Sequence, residues 1–366
     1  MKTLFFKCLA SCLLVLFVAG CETPQHKPAT PQQKSASPQQ KISAAVVAAR
    51  GAEAAQEQAS PANYRKAAEH YAEAVKLVAP VDAALAGQYR EKQAKVLFDL
   101  GDKFGDNKAL EEAAGVYRRL VSEINRRSNA AAWAKNQNML GECARNLGER
   151  EIGTARLIEA AAAYREALKE ITRERDPQTW AQIQNNLGLS LLSLGAREHE
   201  RGTTSLIGAV EAYREALKEI TRERDPFGWA KIQNEIGAAA QSLGAQETGT
   251  AWLAEAVEAY REALRIYTRE RVPQRWAMTQ SSLGFALQNL GERETGTERL
   301  TDAIAAYRAA LEVFDGRSNP YHSTMARRNI ALTQDLIEAR SRSERWSPYP
   351  YAPTDFYQPQ IESSWK

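Results

Sequence analysis

The chain has 366 residues, 44% hydrophobic and 25% charged, which excludes wholesale disorder and leaves room for one elongated domain or roughly two to three compact ones. Lys and Arg number 48 against 45 Asp and Glu, a net charge of +3, without the basic excess of a dedicated nucleic-acid binder. Gly at 21 and Pro at 14 are too few for a collagen-like or low-complexity chain, and four Cys with four His speak against a metal or disulfide scaffold.

Residues 1–20 read as a secretory signal. Lys2 and Lys7 form a basic start, and Leu4 to Val18 is almost wholly apolar, too short and wrongly flanked for a stable membrane span. The stretch ends in Val18-Ala19-Gly20-Cys21, which resembles the lipobox of bacterial lipoproteins. That resemblance implies cleavage between Gly20 and Cys21 and lipidation of Cys21 with diacylglycerol and a further acyl chain such as palmitate. Each buried methylene contributes about 0.8 kcal/mol, so several chains anchor stably. Glu22, rather than Asp, follows the Cys; by the same resemblance this implies the outer membrane, facing the periplasm. The alternative is an ordinary signal with a chance Cys. In the lipoprotein reading Cys8 and Cys12 leave with the signal. Cys143 then remains alone, a small buried hydrophobe on a helix.

Residues 21–41 carry Pro24, Pro28, Pro31 and Pro38 among Gln, Lys, Ser and Thr. No apolar period exists there, so the segment reads as an extended linker, about 3 Å per residue where polyproline-like.

Residues 42–342 form a repeat array. Trp133, Trp180, Trp229 and Trp276 are spaced 47, 49 and 47, and Tyr164, Tyr213, Tyr260 and Tyr307 are spaced 49, 47 and 47. Gly-Thr recurs at Gly153-Thr154, Gly202-Thr203, Gly249-Thr250 and Gly296-Thr297. Each unit reads as two helices. Trp180, Ile183, Leu187, Leu191 and Leu194 make one stripe at helical spacing, and Leu206, Ile207, Val210, Tyr213, Leu217 and Ile220 make the next. Asp176-Pro177 and Asp225-Pro226 suit an N-cap followed by Pro at the first helical position, whereas Val272-Pro273 lacks the cap. No run alternates as a strand would. The Trp residues read as interface packing and the Thr-Arg-Glu-Arg segments as solvated helix ends. Tyr321 to Arg342, with Met325, Ile330, Leu332, Leu336 and Ile337, reads as a terminal capping helix with Arg327 and Arg328 outward.

Leu187-Gly188, Ala209, Tyr213, Ala216 and Pro226 resemble the tetratricopeptide repeat pattern, which has a period of about 34 residues. The longer period places an insertion near Gly195 to Gly202, with further residues ending the second helix. The resemblance implies an all-α, right-handed superhelical solenoid of antiparallel helix pairs, whose first helices line a concave groove for a protein or extended peptide. Carried onto this chain from Gly141, Gly188, Gly237 and Gly284, the groove positions are these. Six before the Gly stand Lys135, Gln182, Lys231 and Met278. Three before stand Asn138, Asn185, Asn234 and Ser281. Four after stand Arg145, Leu192, Gln241 and Gln288, and five after stand Asn146, Ser193, Ser242 and Asn289. An Asn ladder both donates and accepts, so it grips a peptide backbone without reading side chains. Lys135, Arg145 and Lys231 would add a carboxylate or acidic side chain. The alternative is a solvated face with some Asn bonded between neighbouring helices.

The sequence offers no cofactor, metal or small-molecule site. His26, His70, His199 and His322 lack ligand spacing, and no nucleophile has a paired base. Residues 343–366 hold four prolines and Trp346, Tyr349, Tyr351, Phe356, Tyr357 and Trp365. They read as a docking peptide or lid, or as a tail packed on the last helix or frayed. The function expected is a non-catalytic, lipid-anchored binding scaffold of a bacterial envelope. The alternatives are an accessory subunit of an envelope enzyme or transport complex, and a spacer without groove ligand.

Overall fold

The structure, a computed structural model, describes residues 36–57, 59–198, 202–317 and 319–341. Gly20, Cys21 and most of the linker lie outside the described residues, as do His199 and the aromatic tail. The described residues form thirteen helices: α1 (Pro38–Gln56), α2 (Pro61–Val78), α3 (Ala83–Phe104), α4 (Asn107–Glu123), α5 (Ala130–Arg150), α6 (Ala155–Ala167), α7 (Pro177–Glu198), α8 (Thr203–Ala216), α9 (Pro226–Gln246), α10 (Ala251–Leu264), α11 (Pro273–Arg293), α12 (Glu298–Leu311) and α13 (Pro320–Ser341). They pack as sequential antiparallel pairs, α1–α2 through α11–α12, closed by α13. The first helices also touch one another, α5 with α7, α7 with α9, and so to α13. This is an all-α, tetratricopeptide-like repeat solenoid. The first helix begins at Pro38, so Pro38–Lys41 are helix rather than linker.

Side-chain caps start several of the helices. The Asp176 carboxylate accepts from the backbone N–H of Thr179 at 3.1 Å, and Asp225 accepts from Gly228 at 2.9 Å, each satisfying an N–H that the first turn leaves orphaned. Asn129, Asp106 and Asp82 cap α5, α4 and α3 in the same way. Val272 provides no such bond; it is half-buried against Ile266 and Tyr267. At the other end of α3, Gly105 turns left-handed with φ 75°, a conformation that costs a side chain dearly.

The extra length of the repeat sits in the first helix. Gly195 was expected in a turn, but α7 continues through it to Glu198. The reason is packing: a Cβ on Gly195 would lie 2.6 Å from the Leu206 side chain, so this glycine is a contact point inside a helix crossing. Gly148, Gly244 and Gly291 meet Leu157, Leu253 and Leu300 likewise. The second helices end early, at Ala216 in the case of α8, and nine residues of turn (217–225) follow.

The Trp residues pack between pairs. Trp133 and Trp180 are buried, and Arg126 stacks its guanidinium over Trp133 at 4.1 Å. Trp276 packs against Ala277, Ala310 and Phe314. Cys143 is fully buried, and burial drives its thiol pKa up, so it behaves as a small apolar side chain. On α13 the packed face differs from expectation. Ser323, Ala326 and Thr333 are buried there, while Met325, Ile330, Leu332, Leu336 and Ile337 are half-buried. No second helix among the described residues covers that stripe.

Candidate functional site, the face of the first helices

The face is built around a glycine–tyrosine crossing repeated four times. A Cβ on Gly141, Gly188, Gly237 or Gly284 would stand 2.8, 2.7, 2.6 or 2.8 Å from the ring of Tyr164, Tyr213, Tyr260 or Tyr307. Bare backbone on the first helix lets the ring of the second slide across it. The four rings are 0–2% exposed.

That crossing determines what lies four residues after each Gly. Tyr260 donates its hydroxyl to Gln241 Oε1 at 3.4 Å, and Tyr307 donates to Gln288 Oε1 at 3.1 Å. Gln241 and Gln288 are accordingly buried and are not open groove positions; they are hydroxyl partners within one pair. The equivalent of Gln241 beside Tyr213 is Leu192, and the Tyr213 hydroxyl has no partner. A buried unpartnered hydroxyl costs about 1–3 kcal/mol. Tyr213→Phe is therefore expected to stabilise the protein by about 1 kcal/mol. Tyr307→Phe, which strands the Gln288 oxygen, is expected to cost about as much. Urea titrations of the two variants check the opposite signs.

The other predicted groove residues fall into two groups. Asn146 is buried and donates to Asp102 on α3 at 3.1 Å, so it ties neighbouring pairs and is withdrawn from the face. Asn234 accepts from Thr279 on α11 at 3.0 Å, and Asn289 donates to the Phe285 carbonyl at 3.0 Å. Lys135, Gln182 and Lys231 are exposed, while Asn138, Asn185 and Ser281 are half-buried. Rows of side chains at one register therefore do lie on adjacent first helices. The row three before the Gly runs Asn138, Asn185, Asn234, Ser281. The row one after it, not anticipated from sequence, runs Glu142, Leu189, Ala238, Phe285, all half-buried. The face thus passes from charged at α5 to apolar toward α11.

Two of the three expected cationic groups are already engaged. Lys135 pairs with Glu91 at 3.3 Å and Arg145 with Glu149. Lys231 lies close enough to Glu235 to act on its titration. Burial raises the carboxyl pKa of Glu142, Glu235 and Glu292, against the opposing pull of nearby Arg or Lys charges. Arg145 and Lys135 do not stand ready for an acidic side chain, whereas Lys231 is exposed.

A second recurring device was not foreseen. Arg197 donates to the Gly153 carbonyl at 2.8 Å. Arg293 donates to Gly249 and, at 2.6 Å, to Gly244. Arg340 donates to Gly296 and, at 2.8 Å, to Gly291. Each arginine ends a first helix and closes the open carbonyls of the preceding pair. The recurrent Gly-Thr is its receptor: the Gly supplies the carbonyl, and no Thr side chain caps a helix at Thr154, Thr250 or Thr297. The Thr-Arg-Glu-Arg segments also bridge pairs, Arg173 to Glu219 at 2.7 Å and Arg269 to Glu312, and Arg126 of Asn125-Arg126-Arg127 reaches Glu170 at 2.7 Å in the same way.

Two open clefts of about 330 and 230 Å³ repeat one register, each lined by two second helices and the first helix between them, α10–α11–α12 and α8–α9–α10. Ion pairs span them: Arg214–Glu255 at 2.6 Å and Arg261–Asp302 at 3.9 Å. Among the described residues no cluster of His, Cys, Asp and Glu could hold a metal, and no helix is long and apolar enough to cross a membrane.

No protein-family model and no curated protein sequence matches the chain. Among solved structures, BtubC (BKLC) from P. vanneervenii is 18% identical, with 87% of this chain and 97% of that chain covered, at a TM-score of 0.39. The TPR2AB domain of yeast Sti1, in complex with pHSP90, is 16% identical, covers 80% and 99%, and has a TM-score of 0.28. A circular tandem repeat protein is 19% identical over 82% and 77%, with a TM-score of 0.35. The fold assignment rests on the helix pairs and their glycine–tyrosine crossings.

Proposed function

We propose that this protein is a non-catalytic adaptor, held by a lipidated Cys21 at the outer membrane of a bacterial envelope, that binds a protein or extended peptide along its first helices. The supporting observation is two rows of polar side chains on adjacent helices, Lys135 and Gln182 exposed at one register and Asn138 and Asn185 half-buried at the next. Such rows offer hydrogen bonds at a regular step, which suits the repeating groups of an extended backbone. The anchor and the address follow from the lipobox resemblance alone.

Replacing Gln182 and Asn185 together with Ala is expected to weaken partner capture about tenfold, while helix content and melting stay unchanged. Capture from gently solubilised membranes, comparing native protein with Cys21→Ser, reports the partner and the role of the anchor. Undiminished capture by the double variant would sink the groove reading.

A further inference from the structure

The last helix keeps the register of the first helices. Pro320 stands 47 residues after Pro273 and Arg340 stands 47 after Arg293. Arg340 donates to Gly296 as Arg293 donates to Gly249, and α13 touches α11. Its side chains therefore extend the rows of the first-helix face by one helix. Met325 follows Met278 in the row six before the Gly, Leu332 follows Phe285 in the row one after it, and Leu336 follows Asn289 in the row five after it. All six are half-buried. At α5 and α7 the same rows hold Lys135 and Gln182, Glu142 and Leu189, Asn146 and Ser193. The C-terminal end of the face is thus the apolar end, with two methionines, a phenylalanine and two leucines.

The same register shows that α13 is not built to receive a second helix. In α11 a Cβ on Gly284 would lie 2.8 Å from the Tyr307 ring, and one on Gly291 would lie 2.8 Å from Leu300. The corresponding residues of α13 are Ala331 and Glu338, both exposed, so the tyrosine and leucine crossings of a full pair are blocked. The sequence that follows carries Pro348, Pro350, Pro353 and Pro359, each worth about 3 kcal/mol against a helix interior. It also carries six aromatic side chains, among them Trp346, Tyr351 and Phe356, which gain most from apolar cover. The apolar end of the face is within their reach. Leu336 and Leu332 lie about 8 and 14 Å back along α13 from Ser341, and the five residues to Trp346 span up to about 17 Å. Met325 lies about 24 Å back, inside the roughly 33 Å open to Tyr351. A tether this short gives an effective concentration in the millimolar range, and methionine sulfur packs well against aromatic edges.

We propose that residues 343–366 fold back over α13 and α11 and cover the apolar end of the face, with their aromatic side chains against Met278, Phe285, Met325, Leu332 and Leu336. The inference rests on the groove reading, in that it takes the same face as a binding surface, and it adds an occupant. Gln182 and Asn185 stay open at the other end. A partner held there that extends past α9 meets the tail and must displace it, so the tail is a built-in competitor.

The test adds a fluorescein-labelled peptide of residues 343–366 to two full chains in detergent. One is native; the other carries Trp346→Ser, Tyr349→Ser, Tyr351→Ser, Phe356→Ser, Tyr357→Ser and Trp365→Ser. Anisotropy is expected to show the peptide binding the serine-tail chain at least about tenfold more tightly than the native chain, whose own tail holds the site. Adding Met325→Gln and Leu332→Asn, both close to isosteric, to the serine-tail chain is expected to remove about tenfold of that affinity with melting unchanged. Adding Glu258→Gln, on a second helix, is expected to change nothing. Equal binding to the native and serine-tail chains overturns the proposal, and so does no binding to the serine-tail chain; neither result depends on a variant of the helical array. Undiminished binding by a natively melting chain with Met325→Gln and Leu332→Asn overturns it as well. If the peptide fails while Gln182→Ala with Asn185→Ala still weakens partner capture, the groove reading stands and this inference falls.

Discussion

Tyr260→Ala is expected to cost about 3–5 kcal/mol, the usual toll for emptying a buried aromatic site. The ring is 2% exposed and rests on Gly237, so no neighbouring side chain fills the gap. Gly237→Ala should also destabilise, although alanine favours a helix by about 1 kcal/mol over glycine. Its methyl would stand 2.6 Å from Tyr260 Cε1, and a ring enclosed on both sides cannot yield. Forcing a methyl into such a site costs about 1–3 kcal/mol. In the double variant the new methyl enters space the ring has vacated. Its cost is therefore expected to fall below the sum of the single costs by about 1 kcal/mol or more. Urea titrations of the three variants check this. Strictly additive costs would show that the two residues do not pack as one unit.

Arg340→Ala carries the other large effect. The guanidinium closes the Gly296, Gly291 and Glu292 carbonyls of the last full pair. Hydrogen bonds to a charged donor are worth about 1.5–3 kcal/mol each where shielded, and less where solvent competes. Arg340 is half-buried, so a loss of about 2–3 kcal/mol is expected. Hydrogen exchange should locate it: amides of α12 and α13 are expected to lose protection first, because nearest-neighbour coupling confines the damage to the end of the array. A uniform loss across all pairs would contradict a local staple. Arg340→Lys keeps the charge but loses the planar fork, and is expected to recover only part of the loss.

The pairs themselves could be read from the sequence because their causes are local and periodic. Trp, Tyr and Gly-Thr return in phase, apolar stripes keep helical spacing, and Asp176 and Asp225 announce helix starts that the structure honours. The site was only half legible. Gln241 and Gln288 stand at the same offset from the glycine as the exposed positions of a groove. Nothing in one dimension reveals that the Tyr260 and Tyr307 hydroxyls reach them from the second helix. Lys135 and Arg145 look available until Glu91 and Glu149 are placed beside them. The arginine staples did leave a signal. Arg197, Arg293 and Arg340 each fall 44 residues after the Gly whose carbonyl they receive. Comparing arginines and glycines across the repeat boundary, rather than within one repeat, would have exposed it.

Those staples all point the same way along the chain. The side chain that completes each stapled pair, α5–α6, α9–α10 and α11–α12, belongs to the helix that follows it. Made on a ribosome, or threaded through a translocation pore with its N-terminus leading, the chain delivers each of these three hairpins with open carbonyls at its loop. The arginine that covers them arrives one helix later. Folding is thereby tied to the direction of synthesis: a repeat becomes secure when its follower emerges, and an interrupted chain is left with one exposed, unfinished end that a protease can recognise.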